Sequence, residues 1–186
     1  MTYRVILADP PWEFRVWSRD TGAGRSAESH YRTMDIESLC AMRPPAEKNA
    51  ALFLWACWPN LPDALRLITA WGFEYKTIAF VWVKLNKNSM GTFTGMGYYT
   101  RANTEPCLLA VRGKMPVSAR DIQALIMSPV REHSRKPDDQ YRKIESLYPA
   151  GPYLEMFARR KRAGWHSFGN EIESDVVIET GGRHVD

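Results

Sequence analysis

The chain is poor in cysteine, and what it has does not pair: Cys40, Cys57 and Cys107 are the only three in 186 residues. An odd number without C-x-x-C spacing excludes a disulfide framework. Each sits among apolar neighbours, so buried free thiols in a reducing, cytoplasmic setting are expected. The four histidines are scattered and complete no Cys/His ligand set, so no metal is expected. Long apolar runs are missing too. The longest, Ala50–Trp58, has nine residues, whereas a membrane-spanning helix needs about 20. Met1 to Asp9 reads as a strand rather than a secretory leader, and no membrane association is expected. No repeat, no low-complexity stretch and no G-x-G-x-x-G is present, so glycine spacing alone points to no nucleotide fold.

What remains is of globular composition, 45% hydrophobic and 25% charged, and sized for one domain that buries roughly 70% of its unfolded surface. The reading is a single domain over 1–173 and an acidic, frayed tail over 174–186. The net charge of +4 is uneven: residues 101–162 carry 13 basic and 7 acidic side chains, residues 163–186 one and five. A basic middle interleaved with aromatics fits a polyanion, and equally a solvated surface.

Short apolar runs alternate with amphipathic ones, the pattern of an α/β sheet. Strands are expected over Arg4–Ala8, Ala50–Cys57, Tyr75–Lys84, Cys107–Val111, Ala124–Met127 and Tyr153–Ala158. Helices are expected over Asp35–Met42, Asn60–Trp71 (Leu61, Leu65 and Ile68 on one face) and Pro137–Tyr148 (Tyr141, Ile144 and Leu147 on one face). Two loops of about 20 residues, 13–33 and 85–104, are long for a compact domain and flank candidate sites.

Asp9-Pro10-Pro11-Trp12 is the most informative stretch. It occurs by chance roughly once in several thousand chains of this length. It sits at the carboxyl end of a strand, where open α/β sheets bind ligands. Its chemistry suits an exocyclic amine on a flat heterocycle, whose lone pair is conjugated and must turn out of plane to attack. A carboxylate, Asp9, and a backbone carbonyl can hold the two amine hydrogens. Pro10 has no competing N–H and stiffens the turn. Trp12 offers a face on which a base can stack, worth about 1–3 kcal/mol.

On these residues the chain resembles the adenine-N6 methyltransferases with the D-P-P-W signature. That family includes the catalytic subunit of the eukaryotic messenger-RNA adenosine methyltransferase and compact bacterial and phage DNA adenine methylases, and the likeness to the compact members is the greater. Further support comes from His30-Tyr31-Arg32-Thr33-Met34, from Glu132-His133-Ser134-Arg135-Lys136-Pro137-Asp138, and from Tyr153–Arg159 followed by Gly164–Glu171. The resemblance implies a permuted, Rossmann-like fold with a mixed seven-stranded sheet, one strand antiparallel, and with the D-P-P-W strand ahead of the cofactor strand. It implies S-adenosylmethionine as cofactor and transfer of its methyl group to the N6 amine of adenine in DNA. RNA is the alternative substrate, and an inactive nucleic-acid-binding or scaffolding relative the alternative function. An intact D-P-P-W argues against the inactive relative. A methyltransferase of a small amine or free nucleoside is a third reading, disfavoured by the basic middle. The oligomeric state stays open, a homodimer among the options.

Residue by residue, the resemblance implies Asp9, Pro10, Pro11 and Trp12 as catalytic. It implies Asp9, Ser134, Lys136, Glu155, Phe157, Ala158, Arg159, Asn170 and Glu171 around the cofactor. Lys136 suits the methionine carboxylate, and Glu171 the ribose hydroxyls. Trp12, Arg15, Trp17, Tyr98, Tyr99 and Arg101 are expected on the nucleic acid, with Arg19 and Arg25 nearby. Two departures stand out. Thr104, beside Asn103 and Glu105, replaces a family basic residue. Eight residues precede Asp9, so upstream contacts to the cofactor's adenine must come from elsewhere.

Overall fold

The structure, a computed structural model, describes residues 1–13, 33–97, 99–132 and 135–179. The elements are β1 (Tyr3–Ala8), α1 (Ile36–Ala41), β2 (Ala46–Trp55), a 3-10 turn (Trp58–Asn60), α2 (Leu61–Ala70), β3 (Glu74–Leu85), β4 (Thr104–Arg112), β5 (Leu125–Pro129), α3 (Asp139–Leu147), β6 (Tyr153–Met156) and β7 (Trp165–Phe168). The seven strands form one sheet in the order β5-β3-β4-β2-β1-β6-β7. β4 runs antiparallel to both its neighbours, β2 and β3, and every other pairing is parallel. The expected mixed seven-stranded α/β fold is therefore present. It is permuted as expected: β1, which carries the D-P-P-W turn, comes first in the chain yet pairs with the late strand β6.

The alternation along the strands fixes which side chains face which layer. Ile6, Ala8, Leu52, Leu54, Leu108, Ala110, Leu154 and Met156 join one core with Leu39 of α1 and Ala64, Leu67 and Ile68 of α2. Val5, Leu7, Ala51, Phe53, Trp55, Phe80, Trp82 and Cys107 join the other with Tyr141 and Ile144 of α3. Helices thus cover both faces, which is why β1 and the second half of β2 read as uninterrupted apolar runs. Each such buried Leu, Ile or Phe contributes about 1.5–3 kcal/mol.

Several boundaries differ from the sequence reading. β2 and β4 begin earlier, at Ala46 and Thr104, because strand pairing extends beyond the apolar run. α2 buries Ala64, Leu67 and Ile68 while Leu65 is exposed, so its apolar stripe is rotated from the one expected. β6 stops at Met156, where Phe157 turns to φ 62°. β7 is too short for its periodicity to announce it. Of the three thiols only Cys107 is buried, Cys40 and Cys57 being half-buried. Residues 174–179 are not a frayed tail: Ile178 is buried in the first core, and the Arg43 N–H donates to the Glu179 carbonyl. Residues 180–186 lie outside the described residues. The glycine-rich segment 85–104 folds back on itself, with Phe93 N–H donating to Lys84 O and Gly95 N–H to Ala102 O.

Candidate active site

From β1 the chain continues to β2 on one side, whereas from β6 it continues to β7 on the other. The order of strands therefore reverses between β1 and β6, and a crevice opens at their carboxyl ends. A cleft of about 220 Å³ lies there, lined among others by Leu7, Asp9, Trp55, Lys136, Glu155 and Phe157. A larger surface hollow near Pro116, Val117 and Leu147 carries a single ionisable side chain, Arg120, and none of the chemistry below.

The D-P-P-W turn is held by its backbone. Trp12 N–H donates to Pro10 O at 2.8 Å, and Met34 N–H to Pro11 O at 2.9 Å. Pro10 is buried and Pro11 half-buried. The Pro10 carbonyl keeps one lone pair beyond the one given to Trp12. Trp12 itself is 4% exposed, packs in the core, and donates its indole N–H to Trp55 O at 3.0 Å. It does not line the cleft. A stacking face was expected here; among the described residues the indole ties the turn to the end of β2.

Asp9, its side chain 35% exposed, accepts from the Lys136 ammonium with both oxygens, at 2.9 and 2.8 Å. Lys136 is 10% exposed, lies 5.7 Å from the Trp55 ring, and has Glu105 Oε2 at 3.2 Å. Burial pushes the Lys136 ammonium down, but Asp9 and Glu105 outweigh this and hold it above the ordinary lysine range. Burial likewise pushes Glu105 up, and Lys136 and Lys84 overcome it, so that Glu105 stays a carboxylate.

At the end of β6, burial raises the Glu155 carboxyl to about 7. Both its oxygens accept from the Tyr141 hydroxyl, at 3.0 Å each. Phe157 adopts φ 62°, left-handed backbone that a bulky side chain adopts only under constraint. Ala158 N–H donates to Phe168 O at 2.9 Å, joining the end of β6 to β7. This approach needs Gly169, since a Cβ there would lie 2.0 Å from Ala158 O. Arg159 pairs with Glu171 at 3.6 Å.

Of the residues expected at the cofactor, the cleft gathers Asp9, Lys136, Glu155, Phe157, Arg159 and Glu171. Ala158 is buried behind it. Asn170 is exposed on the turn after β7 and is not among the lining residues. Tyr99 and Arg101 are exposed in the glycine-rich segment and also do not line it. Arg15, Trp17, Tyr98 and Ser134, with Arg19 and Arg25, lie outside the described residues.

Sequence reasoning missed Gln140 and Tyr141 as site residues. Gln140 accepts from the Trp55 indole at 2.6 Å. Its signal was a polar residue next to the apolar face of α3. Arg131, Arg135 and Arg160 were also missed. Their guanidiniums meet on one carboxylate, Asp138, at 2.8, 2.9 and 3.2 Å.

The donor set fits S-adenosylmethionine. The methionine end of that molecule is a zwitterion and needs a carboxylate and a cation side by side, as Asp9 and Lys136 are. Glu171 presents acceptors for ribose hydroxyls, and Phe157 an aromatic side chain on the same lining.

Comparison with known proteins agrees. The MT-A70 family model matches residues 3–171. The chain is 33% identical over 200 residues to the type II methyltransferase M.MunI of Mycoplasma sp, covering 97% of this chain and 83% of that protein. It is 30% identical to an N(6)-adenosine-methyltransferase MT-A70-like protein of Arabidopsis thaliana, covering 98% of this chain and 25% of that protein. It is 27% identical to the human N(6)-adenosine-methyltransferase catalytic subunit METTL3, covering 99% and 32%. The chain thus spans a quarter to a third of these two eukaryotic relatives. With its permuted sheet and its acid–ammonium pair at the β1–β6 crevice, the chain belongs to the MT-A70 family of S-adenosylmethionine-dependent methyltransferases.

Proposed function

We propose that the protein methylates the exocyclic N6 amine of adenine in DNA. The observation that carries this is the Asp9 carboxylate at the mouth of the crevice, part-exposed and followed by a rigid Pro-Pro turn. Asp9 and the free lone pair of the Pro10 carbonyl accept the two amine hydrogens, which turns the nitrogen lone pair toward the electrophile. The cofactor, when bound, supplies an electrophilic methyl on a sulfonium. The protein's part is positioning, which can contribute about 7–11 kcal/mol. Lys136 and Glu171 hold the cofactor's charged and hydroxyl ends, and the part-buried Glu155 and Phe157 side chains line the same cleft.

Adenine as the target is supported by the D-P-P-W turn and by the N(6)-adenosine-methyltransferases among the relatives. DNA is supported by the likeness to compact bacterial members, this chain covering 83% of the Mycoplasma type II methyltransferase. A paired adenine must leave the stack, at a cost of a few kcal/mol, or be met in a single strand. Arg131, Arg135 and Arg160 meet on Asp138, with Glu132 also on Arg135, and three guanidiniums on two carboxylates leave positive charge for phosphates. The test is transfer of a labelled methyl group to adenine-containing oligonucleotides by wild type and by Asp9→Ala. The variant is expected to fold and to be inactive; near-normal turnover overturns the reading.

A further inference from the structure

β2 runs parallel to β1, so the 3-10 turn Trp58–Asn60 that follows it stands at the same carboxyl edge as Asp9. β4 runs antiparallel to β2, which brings its first residue, Thr104, to that edge as well. The two meet there: the Trp58 indole N–H donates to Thr104 Oγ1 at 2.9 Å. Trp58 is 40% exposed, whereas Trp12, Trp55, Trp71, Trp82 and Trp165 are at most 5% exposed.

A single apolar side chain in water is ordinary. Trp58 differs in being both exposed and held. Its one polar atom is already satisfied by Thr104, and Pro59 stiffens the next residue. The Asn60 side chain donates to the Glu13 carbonyl at 3.0 Å, tying the turn to the residue after Trp12. The departure at Thr104 gains a use here. A basic side chain has donors only and could not accept from the indole, whereas a hydroxyl can. Glu155, Phe157 and Glu171 line the cleft from the β6 and β7 side of β1, while Trp58 follows β2 on the other side. Asp9 thus stands between the cofactor residues and this indole. Trp58 does not line the cleft, so a base that meets it is a neighbour of the adenine at Asp9 rather than that adenine.

We propose that Trp58, held by Thr104, stacks on a base next to the target adenine in the substrate strand. This rests on the reading of the protein as an adenine methyltransferase of nucleic acid with Asp9 as the amine acceptor. A ring fixed before binding loses little freedom on stacking, and every base offers a π-face, so the contact fits any flanking sequence.

The test measures Kd by fluorescence anisotropy for the full chain with S-adenosylhomocysteine. The probe is single-stranded DNA with one adenine, intact or with an abasic nucleotide immediately 5′ or 3′ of it. Trp58→Leu, which keeps apolar bulk without a π-face, is expected to weaken binding to the intact strand about 5- to 100-fold. Trp58→Phe should keep most of the affinity. One of the two abasic strands should bind wild type more weakly yet cost Trp58→Leu nothing further, because base and ring act as a pair. Wild-type affinity in Trp58→Leu overturns the proposal, as do equal losses in the Phe and Leu variants, or additive losses at both abasic positions. Thermal midpoints establish that each variant is folded. If Trp58→Leu does not fold, Thr104→Val frees the ring without removing it. A smaller loss that vanishes on the same abasic strand is then expected, and full affinity overturns the proposal. Turnover of Asp9→Ala is measured alongside. Normal turnover there overturns the reading of the site and this proposal with it; an inactive Asp9→Ala with unchanged binding in Trp58→Leu overturns this proposal alone.

Discussion

The Lys136 ammonium lies 2.9 and 2.8 Å from the two carboxylate oxygens of Asp9, although 127 residues separate them in the chain. The contact joins the D-P-P-W turn to the segment ahead of α3, and it places a cation and an anion side by side at the crevice. Lys136 also stands between the Asp9 and Glu105 carboxylates.

Removing that cation has two expected consequences. Lys136→Met leaves two neighbouring carboxylates without their shared partner, and unfolding in denaturant should show a loss of about 3–5 kcal/mol. Affinity for S-adenosylhomocysteine, measured by calorimetry, should fall in the same variant. A wild-type denaturation midpoint would contradict the structural half, and unchanged affinity the functional half.

Trp12→Ala is expected to act first on stability. The side chain is buried and tied to Trp55 O, so its removal should cost about 3–5 kcal/mol. Trp12→Phe keeps most of the volume, loses the indole bond, and should sit between. Thermal midpoints check the order; a Trp12→Ala variant as stable as wild type but unable to bind oligonucleotide would restore the stacking role.

Glu155 gives a pH signature. Its carboxyl is raised to about 7 in the folded chain, against about 4.3 when unfolded. Between these values the folded state binds more protons than the unfolded one. This group's contribution to stability therefore declines as pH rises from about 4.3 to 7 and is flat above. Relative to wild type, Glu155→Gln should gain up to roughly 3 kcal/mol at pH 8 and next to nothing at pH 4. Denaturation of the pair across this range checks it; a constant difference would refute the burial of an ionisable group here.

Gly169→Ala should disrupt the junction of β6 and β7, since its Cβ would sit 2.0 Å from a backbone oxygen. A lower thermal midpoint with weakened S-adenosylhomocysteine binding is expected, and calorimetry on the folded fraction separates the two.

The sheet was legible because strands buried on both faces leave plain apolar runs, as in Val5–Ala8 and Ala50–Trp55. β7 was not, because four residues alternating buried and exposed carry no periodicity of their own. Asp9, Lys136, Glu155 and Glu171 were expected from motif resemblance, and they line one cleft. The anchoring bond of Trp12 to Trp55 O was not legible, because an indole can stack on a ligand or anchor a turn and the sequence does not show its partner. Glu105 was noted only as a neighbour of Thr104. An acid at the start of an apolar strand, Thr104-Glu105-Pro106-Cys107-Leu108, was the signal that it had a buried cation to meet.

The central claim is methyl transfer to adenine in DNA. Matched DNA and RNA oligonucleotides, single- and double-stranded, incubated with labelled S-adenosylmethionine and digested to nucleosides, test it most directly. The account predicts label in N6-methyldeoxyadenosine, with faster transfer to DNA than to RNA. Faster transfer to RNA than to either DNA form, or label on any other base atom, would contradict it.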